Sequence, residues 1–251
     1  EIGAWHKLLE KAKGRVVSIN VFMKGIDGKW QKFRTIENRV AEDPIDNHLV
    51  YRLINTGYVM WRDMGIYQRN LENFDESTII DNRSIGNTCV NCHSFAANSP
   101  KNMMIHVRAK NAGTILYSGG KLKKLNTKTK YTLSPGGYPN WNPEGKYIAF
   151  SVNKIDQRFY SKDIRIEVTD EASDLAVYDV DKNTITTAPQ VSTPNRENLP
   201  VWSPDGRYIY YISAPPVNDF QSKVYARYSL VRVPFDVTRS VFGQPDTIIS
   251  A

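Results

Sequence analysis

The residues of this chain best suited to chemistry are its two cysteines and the histidine that follows them, in Cys89-Val90-Asn91-Cys92-His93. Two thiols at this spacing can bond the two vinyl groups of one porphyrin, and an imidazole directly after the second can reach the iron. The reading is one covalently bound haem c, with Cys89 and Cys92 as thioether donors and His93 as the proximal ligand. A structural zinc site wants four ligands. There is no second cysteine pair, so only the distant His6, His48 or His106 could complete one. A thioredoxin-like thiol pair is a further alternative, although it belongs at a helix start and Asn87-Thr88 precedes this motif. A cysteine pair without a cofactor is the plainest alternative.

The ligand opposite His93 would decide what the iron does. Methionine raises the reduction potential, a second histidine lowers it, and an empty position admits gases or peroxide. Met104 and His106 are the candidates, because one residue separates them on an expected strand and they share a face. Each has a plain alternative as a packed core residue. Met60 and Met64 are outside candidates. Arg69 and Arg108 could pair with the haem propionates, since guanidinium binds carboxylate bidentately.

The elements that must position these residues fall into two textures. Trp5, Leu8, Leu9 and Ala12 have helical spacing, and Gly14 supplies a stop. Arg15 to Met23 and Lys29 to Ile36 read as a hairpin about Asp27-Gly28. Met60, Met64, Tyr67, Leu71 and Phe74 recur at helical intervals, which predicts a helix between Tyr58 and Phe74. After the cysteine motif, short apolar runs alternate with Gly, Pro, Asn and Asp, as in all-β folds. A boundary near Pro100 to Asn102 separates a region 1–102 from a region 103–251.

Repetition is visible in the second region. Tyr138-Pro139-Asn140-Trp141-Asn142-Pro143-Glu144-Gly145-Lys146-Tyr147-Ile148 is echoed by Leu199-Pro200-Val201-Trp202-Ser203-Pro204-Asp205-Gly206-Arg207-Tyr208-Ile209, 61 positions on. In each copy Pro fixes one φ of a turn and Gly permits a positive one, after which a strand begins. Further strand pairs are expected at Thr114 to Tyr117 with Lys130 to Leu133, and at Leu175 to Val180 with Thr184 to Thr187. Another blade is expected to begin at Tyr225 to Phe235. Asn153 to Ser173 reads as a polar loop outside the blade, with Asp170, Glu171 and Asp174 lacking the spacing of a calcium loop. Lys121, Lys123, Lys124, Lys128 and Lys130 read as a solvated sheet edge.

These repeats resemble TolB-type, WD40-like β-propeller repeats. Pro200, Trp202, Ser203, Pro204, Asp205, Gly206 and Ile209 match that signature, and Asn142 and Glu144 are mild departures in the first copy. Gly65-Ile66-Tyr67-Gln68-Arg69-Asn70, the cysteine motif with Ser94-Phe95, and Met104-Ile105-His106-Val107-Arg108 together resemble a bacterial family, often from the Bacteroidetes. There a cytochrome-c-like segment precedes a TolB-like propeller. The resemblance implies a cell-envelope location and brings no secure activity with it.

Composition agrees with a globular chain: 251 residues, 41% hydrophobic and 24% charged. No apolar run reaches the roughly 18 residues of a membrane span. The sequence starts at Glu1 rather than Met, so an export signal is expected to have been removed or left out. A lipid or peripheral membrane anchor is compatible with this. The net charge of +7, partly offset by two propionates, suits an acidic redox partner. Nucleic acid is not expected as a partner.

The expected fold class is mixed, a small α+β haem-binding N-terminal region followed by all-β blades of an incomplete propeller. Missing blades or a second chain would complete it. The expected function is that of a periplasmic or outer-membrane-associated mono-haem cytochrome that transfers electrons, its propeller serving as an interaction platform. The alternatives are a haem enzyme or sensor with an open distal site, and a binding module stapled by structural haem.

Overall fold

A computed structural model describes residues 2–55, 62–159, 166–216 and 225–251. The chain divides into two compact units, Glu1–Tyr51 with Tyr67–Ile79, and Arg52–Ile66 with Ile80–Ala251. In the first, helix α1 (Ile2–Lys11) forms as its spacing predicts. Gly14 follows with a φ of 72°, and its N–H donates to the Val40 carbonyl at 2.9 Å. Strand β1 (Val16–Ile19) is followed by β2 (Phe22–Lys24), β3 (Trp30–Lys32) and β4 (Ile36–Arg39). β2 and β3 form the hairpin about Asp27-Gly28, and β1 pairs with β4.

Strands β5 (His48–Ile54), β6 (Met64–Asn70) and β7 (Glu76–Asp81) make a three-stranded sheet in the order β5-β6-β7. The helix expected between Tyr58 and Phe74 is therefore corrected over Met64 to Asn70, which is strand. Tyr58, Met60 and Trp61 lie outside the described residues. Met64, Gly65 and Ile66 are buried in succession and Tyr67 to Asn70 are half-buried. Such a run has no polar stripe to turn toward water, so its apolar spacing did not report a helical face.

The second unit holds three consecutive four-stranded meanders, the construction of propeller blades. The first consists of β8 (Cys89–Phe95), β9 (Asn102–Arg108), β10 (Gly113–Ser118) and β11 (Lys121–Leu125). The second consists of β12 (Gly137–Trp141), β13 (Tyr147–Phe159), β14 (Ile166–Asp179) and β15 (Thr184–Thr186). The third has β16 (Arg196–Trp202), β17 (Tyr208–Ala214) and β18 (Ser229–Asp236), with β19 (Val241–Phe242) and β20 (Asp246–Ile249) both pairing with β18 as an interrupted fourth strand.

Several expectations change here. Thr114 to Tyr117 pairs with Leu122 to Leu125, not with Lys130 to Leu133. The segment expected to open a new blade at Tyr225 to Phe235 instead supplies the third strand of the blade that starts at Arg196. Asn153 to Ser173 is no loop over its described part: β13 and β14 continue as one hairpin, paired from Tyr147↔Asp179 out to Phe159↔Ile166. The lysines of β11 do line an exposed sheet edge.

The sequence copies fold alike. Asn142 Oδ1 accepts the N–H groups of Lys146 and Tyr147 at 2.8 and 2.9 Å, and Ser203 Oγ accepts that of Tyr208 at 3.0 Å. Gly145 and Gly206 take φ of 70° and 69°, a region costly for a side chain with a Cβ. Trp141 and Trp202 each enter a core between blades. Trp141 packs with Met104, Leu116, Ile148 and Phe150, while Trp202 packs with Tyr147, Ile209, Val233 and Phe235. Burying such a ring removes about 150–250 Å² from water, worth at most roughly 4–6 kcal/mol.

Candidate functional site

The cysteine motif lies on β8, the first strand of the first blade. β8 pairs antiparallel with β9 in the register Cys89↔Arg108, Val90↔Val107, His93↔Ile105, Ser94↔Met104 and Phe95↔Met103, with a bulge between Val90 and His93. The same irregularity recurs between Gly137 and Asn140 on β12 and between Asn198 and Val201 on β16. Strand β8 is thus a third copy of the repeat. In it Cys92 stands where the others have Pro139 and Pro200, His93 where they have Asn140 and Val201, and Ser94 where they have Trp141 and Trp202.

Residues opposite one another in an antiparallel pair project to the same face. Val90, His93, Phe95, Ile105 and Val107 therefore share one face, and the His93 and Phe95 rings meet edge-on with centroids 6.1 Å apart. Cys89, Ser94, Met104, His106 and Arg108 share the other. Asn91 and Cys92 stand together in the bulge, against His106. Both thiols are free; Cys89 is buried and Cys92 half-buried. Burial pushes the Cys89 thiol upward, the Arg52 and Arg108 guanidinium groups pull it down, and Cys92 is close enough to raise it slightly. The Nε of Arg52 is buried with no partner among the described residues.

The remaining predicted residues separate. Met104 is 0% exposed and belongs to the apolar core between the first two blades. It occupies the register position of Ile148 and Ile209 in the next blades, which face Trp141 and Trp202 as Met104 faces Ser94. His106 is 2% exposed, its Nδ1 3.5 Å from Thr114 Oγ1. Burial, with a smaller contribution from Arg108, lowers its pKa to about 4, so it is neutral at pH 7. The structure does not bring Met104 or His106 to the face that carries His93. Arg69 belongs to the first unit, where it ion-pairs with Glu76 at 3.1 Å and its Nε donates to the Tyr51 hydroxyl at 3.2 Å.

Haem attachment through all three motif residues requires the thiols and the imidazole on one side of the porphyrin. A helical turn provides this, because positions i, i+3 and i+4 share a face. Strand β8 does not. The two thiols, with Arg108 opposite Cys89, fit the covalent part of haem binding; His93, on the face opposite Cys89, does not fit the axial part as the strand is folded. The cavity beside Arg108, lined by His106, Ser134, Gly137 and Asn153, has a volume of about 250 Å³. That is below the roughly 300–1,000 Å³ of ordinary small-molecule sites. Among the described residues no group of three or more His, Cys, Asp or Glu could hold a metal ion.

Two features went unread in the sequence. A groove of about 1,060 Å³ is lined by Lys124, Leu125 and Tyr131 from one side and by Tyr178, Ile185 and Pro189 from the other. A buried polar network joins the second and third blades. Asp170 accepts from Asn153 Nδ2 at 3.1 Å and from Asn198 Nδ2, and Ser151 Oγ donates to Asn198 Oδ1 at 2.6 Å. Burial raises the Asp170 carboxyl against these hydrogen bonds. Arg196, 2% exposed, donates through Nη1 to the Asp170 carbonyl at 3.4 Å and lies 5.1 Å from the Tyr228 ring. The acidic loop expected at Asp170 to Asp174 is instead part of β14, with Asp174 7% exposed. Only spatial pairing gathers these residues, and no local spacing announced them.

The fold is that of β-propeller blades. No family model matches the sequence, and no curated protein matches it. Among solved structures the chain is similar to a putative TolB from Agrobacterium tumefaciens, at 16% identity and a TM-score of 0.47, covering 95% of this chain and 72% of that one. TolB from Acinetobacter baumannii shares 10% identity at a TM-score of 0.35, covering 100% and 72%. Prolyl oligopeptidase B from Galerina marginata shares 13% at 0.45, covering 99% and 34%.

Proposed function

We propose that this chain is a mono-haem c-type cytochrome of the cell envelope that transfers electrons, with its blades as the docking platform for a redox partner. The observation that carries this reading is the placing of the chain's only two cysteines, both free, on the strand that also bears His93, with Arg108 opposite Cys89 in the ladder. When bound, haem supplies a one-electron couple. Cys89 and Cys92 would hold it covalently, and Arg108, opposite Cys89 in the ladder, would pair with a propionate. Arg69 is paired with Glu76. The region before the blades, one helix and short strands, is the rest of the haem-binding part in this reading. Further blades, from a longer chain or a second one, would complete the propeller, since three are fewer than the four to eight of closed rings. An acidic redox partner matches the net charge of +7.

The test is expression with haem-maturation machinery followed by a denaturing haemochrome spectrum. One covalent haem is expected for the wild type and none for Cys89→Ala/Cys92→Ala; a haem-free wild type overturns the proposal.

A second reading, an open distal site that binds a small ligand, is favoured by one observation. Met104 and His106 are both buried on the face of β9 away from His93. Carbon monoxide binding to the reduced protein, unchanged by Met104→Leu, would support it over a six-coordinate electron carrier.

A further inference from the structure

The positive charge of this chain is concentrated in one stretch. Between Asp81 and Glu144 the sequence carries nine lysines and arginines and no aspartate or glutamate. That stretch holds all of the first blade, and its nine cations exceed the net +7 of the entire chain, so the remaining sequence is slightly acidic. Five of them, Lys121, Lys123, Lys124, Lys128 and Lys130, are exposed on β11 and the loop after it. Among the described residues none of the five makes an ion pair. The loop is held by its own hydrogen bonds: the Lys128 N–H donates to Asn126 Oδ1 at 3.1 Å, the Thr129 N–H to Thr132 Oγ1 at 2.8 Å, and the Gly136 N–H to Thr127 Oγ1 at 2.9 Å. The lysines are thus presented from a formed surface.

We infer that the edge of β11, with the groove between it and β15, takes an extended acidic peptide segment of a partner protein. Both strands that bound the groove are edges: among the described residues β11 is bonded to β10 alone and β15 to β14 alone. Each therefore offers a row of backbone N–H and C=O groups, which another extended backbone matches and a lipid headgroup or a phosphate chain does not. The groove, about 1,060 Å³, exceeds the roughly 300–1,000 Å³ of small-molecule sites. Its lining joins Lys124 and Lys130 to the apolar surfaces of Leu125, Tyr131, Ile185 and Pro189 and includes no carboxylate. Side chains alternate along a strand, so Lys121 and Lys123 project to one face of β11 and Lys124 to the other. An added strand with carboxylates on both faces meets a lysine on each, and like charges repel the same edge of a second copy of this chain. The surface lies at the opposite end of its sheet from β8, and the inference does not depend on what the cysteine motif binds.

The experiment titrates the full chain with a fluorescent peptide of alternating glutamate and valine and follows anisotropy. Saturable binding is expected, weakened at least about tenfold by Lys123→Glu/Lys124→Glu and preserved in Lys123→Arg/Lys124→Arg. Equal urea midpoints for the two variants show that the loss is one of charge and not of folding. The same peptide N-methylated at alternate residues, which keeps its charge but cannot complete a ladder, is expected to bind at least about tenfold more weakly. Amide exchange at 121–125 should slow when the unmodified peptide is bound, while 208–214 in the third blade is unchanged. No saturable binding, equal binding of the N-methylated peptide, or unaltered exchange at 121–125 overturns the inference. Tighter lysine-dependent binding to phosphatidylglycerol vesicles than to the peptide also overturns it, in favour of a membrane surface.

Discussion

The indole Nε1–H of Trp141 donates to the backbone carbonyl of Ser94 at 3.3 Å across 47 residues of chain, joining the second blade to the strand that carries the cysteine motif. Trp202, its counterpart one blade on, is equally buried, but its Nε1–H has no partner among the described residues. The two tryptophans should therefore respond differently to phenylalanine. Trp141→Phe should cost about 1 kcal/mol more than Trp202→Phe, the net value of one hydrogen bond, because both lose similar volume. Urea midpoints of the two variants check this.

Asn140→Ala should weaken the join between the second and third blades. It leaves the Trp202 N–H without its acceptor, at a cost of about 1–3 kcal/mol. Asn140→Asp, which keeps an acceptor oxygen, should recover most of the loss in the same unfolding measurement.

His106 should give the protein an acid limb. Its folded pKa, about 4, lies below the ordinary 6.5, so the unfolded chain binds the extra proton between these values. Its contribution is complete above pH 6.5 and is lost as pH falls toward 4, by up to about 3 kcal/mol. The corresponding residues of the next blades are Phe150 and Tyr211. His106→Phe should accordingly flatten stability between pH 4 and 6.5, as read by chemical denaturation at pH 7 and pH 5.

The two thiols should differ in reactivity. Cys89 is 5% exposed and burial raises its pKa, whereas Cys92 is half-buried in the bulge. Iodoacetamide should modify Cys92 at least about tenfold faster than Cys89, as resolved by peptide mass spectrometry. Equal rates would contradict the placement of Cys89 inside the blade.

The second and third blades were legible because their turns are local chemistry. Pro143-Glu144-Gly145 and Pro204-Asp205-Gly206 dictate φ within a few residues, and Trp141 and Trp202 mark the first strand of each blade. The first blade was hidden because Cys92, His93 and Ser94 replace the Pro and Trp that identify the repeat, leaving only a shared bulge that pairing reveals. The helix expected near Met64 failed for a related reason: apolar spacing cannot distinguish a helical face from a strand buried on both sides. The motif itself was plain in the sequence. The direction taken by His93 was not, since it depends on a register set by β9.

The hydrogen-bond network has one further consequence. Ser173 on β14 bridges to Arg196 on β16, so the second and third blades share a single continuous sheet, whereas the first is a sheet of its own. Among the described residues the first blade therefore meets its neighbour through side chains such as Trp141 rather than through a backbone ladder. On heating, the chain should come apart along that line, the motif-bearing blade melting as a separate cooperative unit while the fused pair persists.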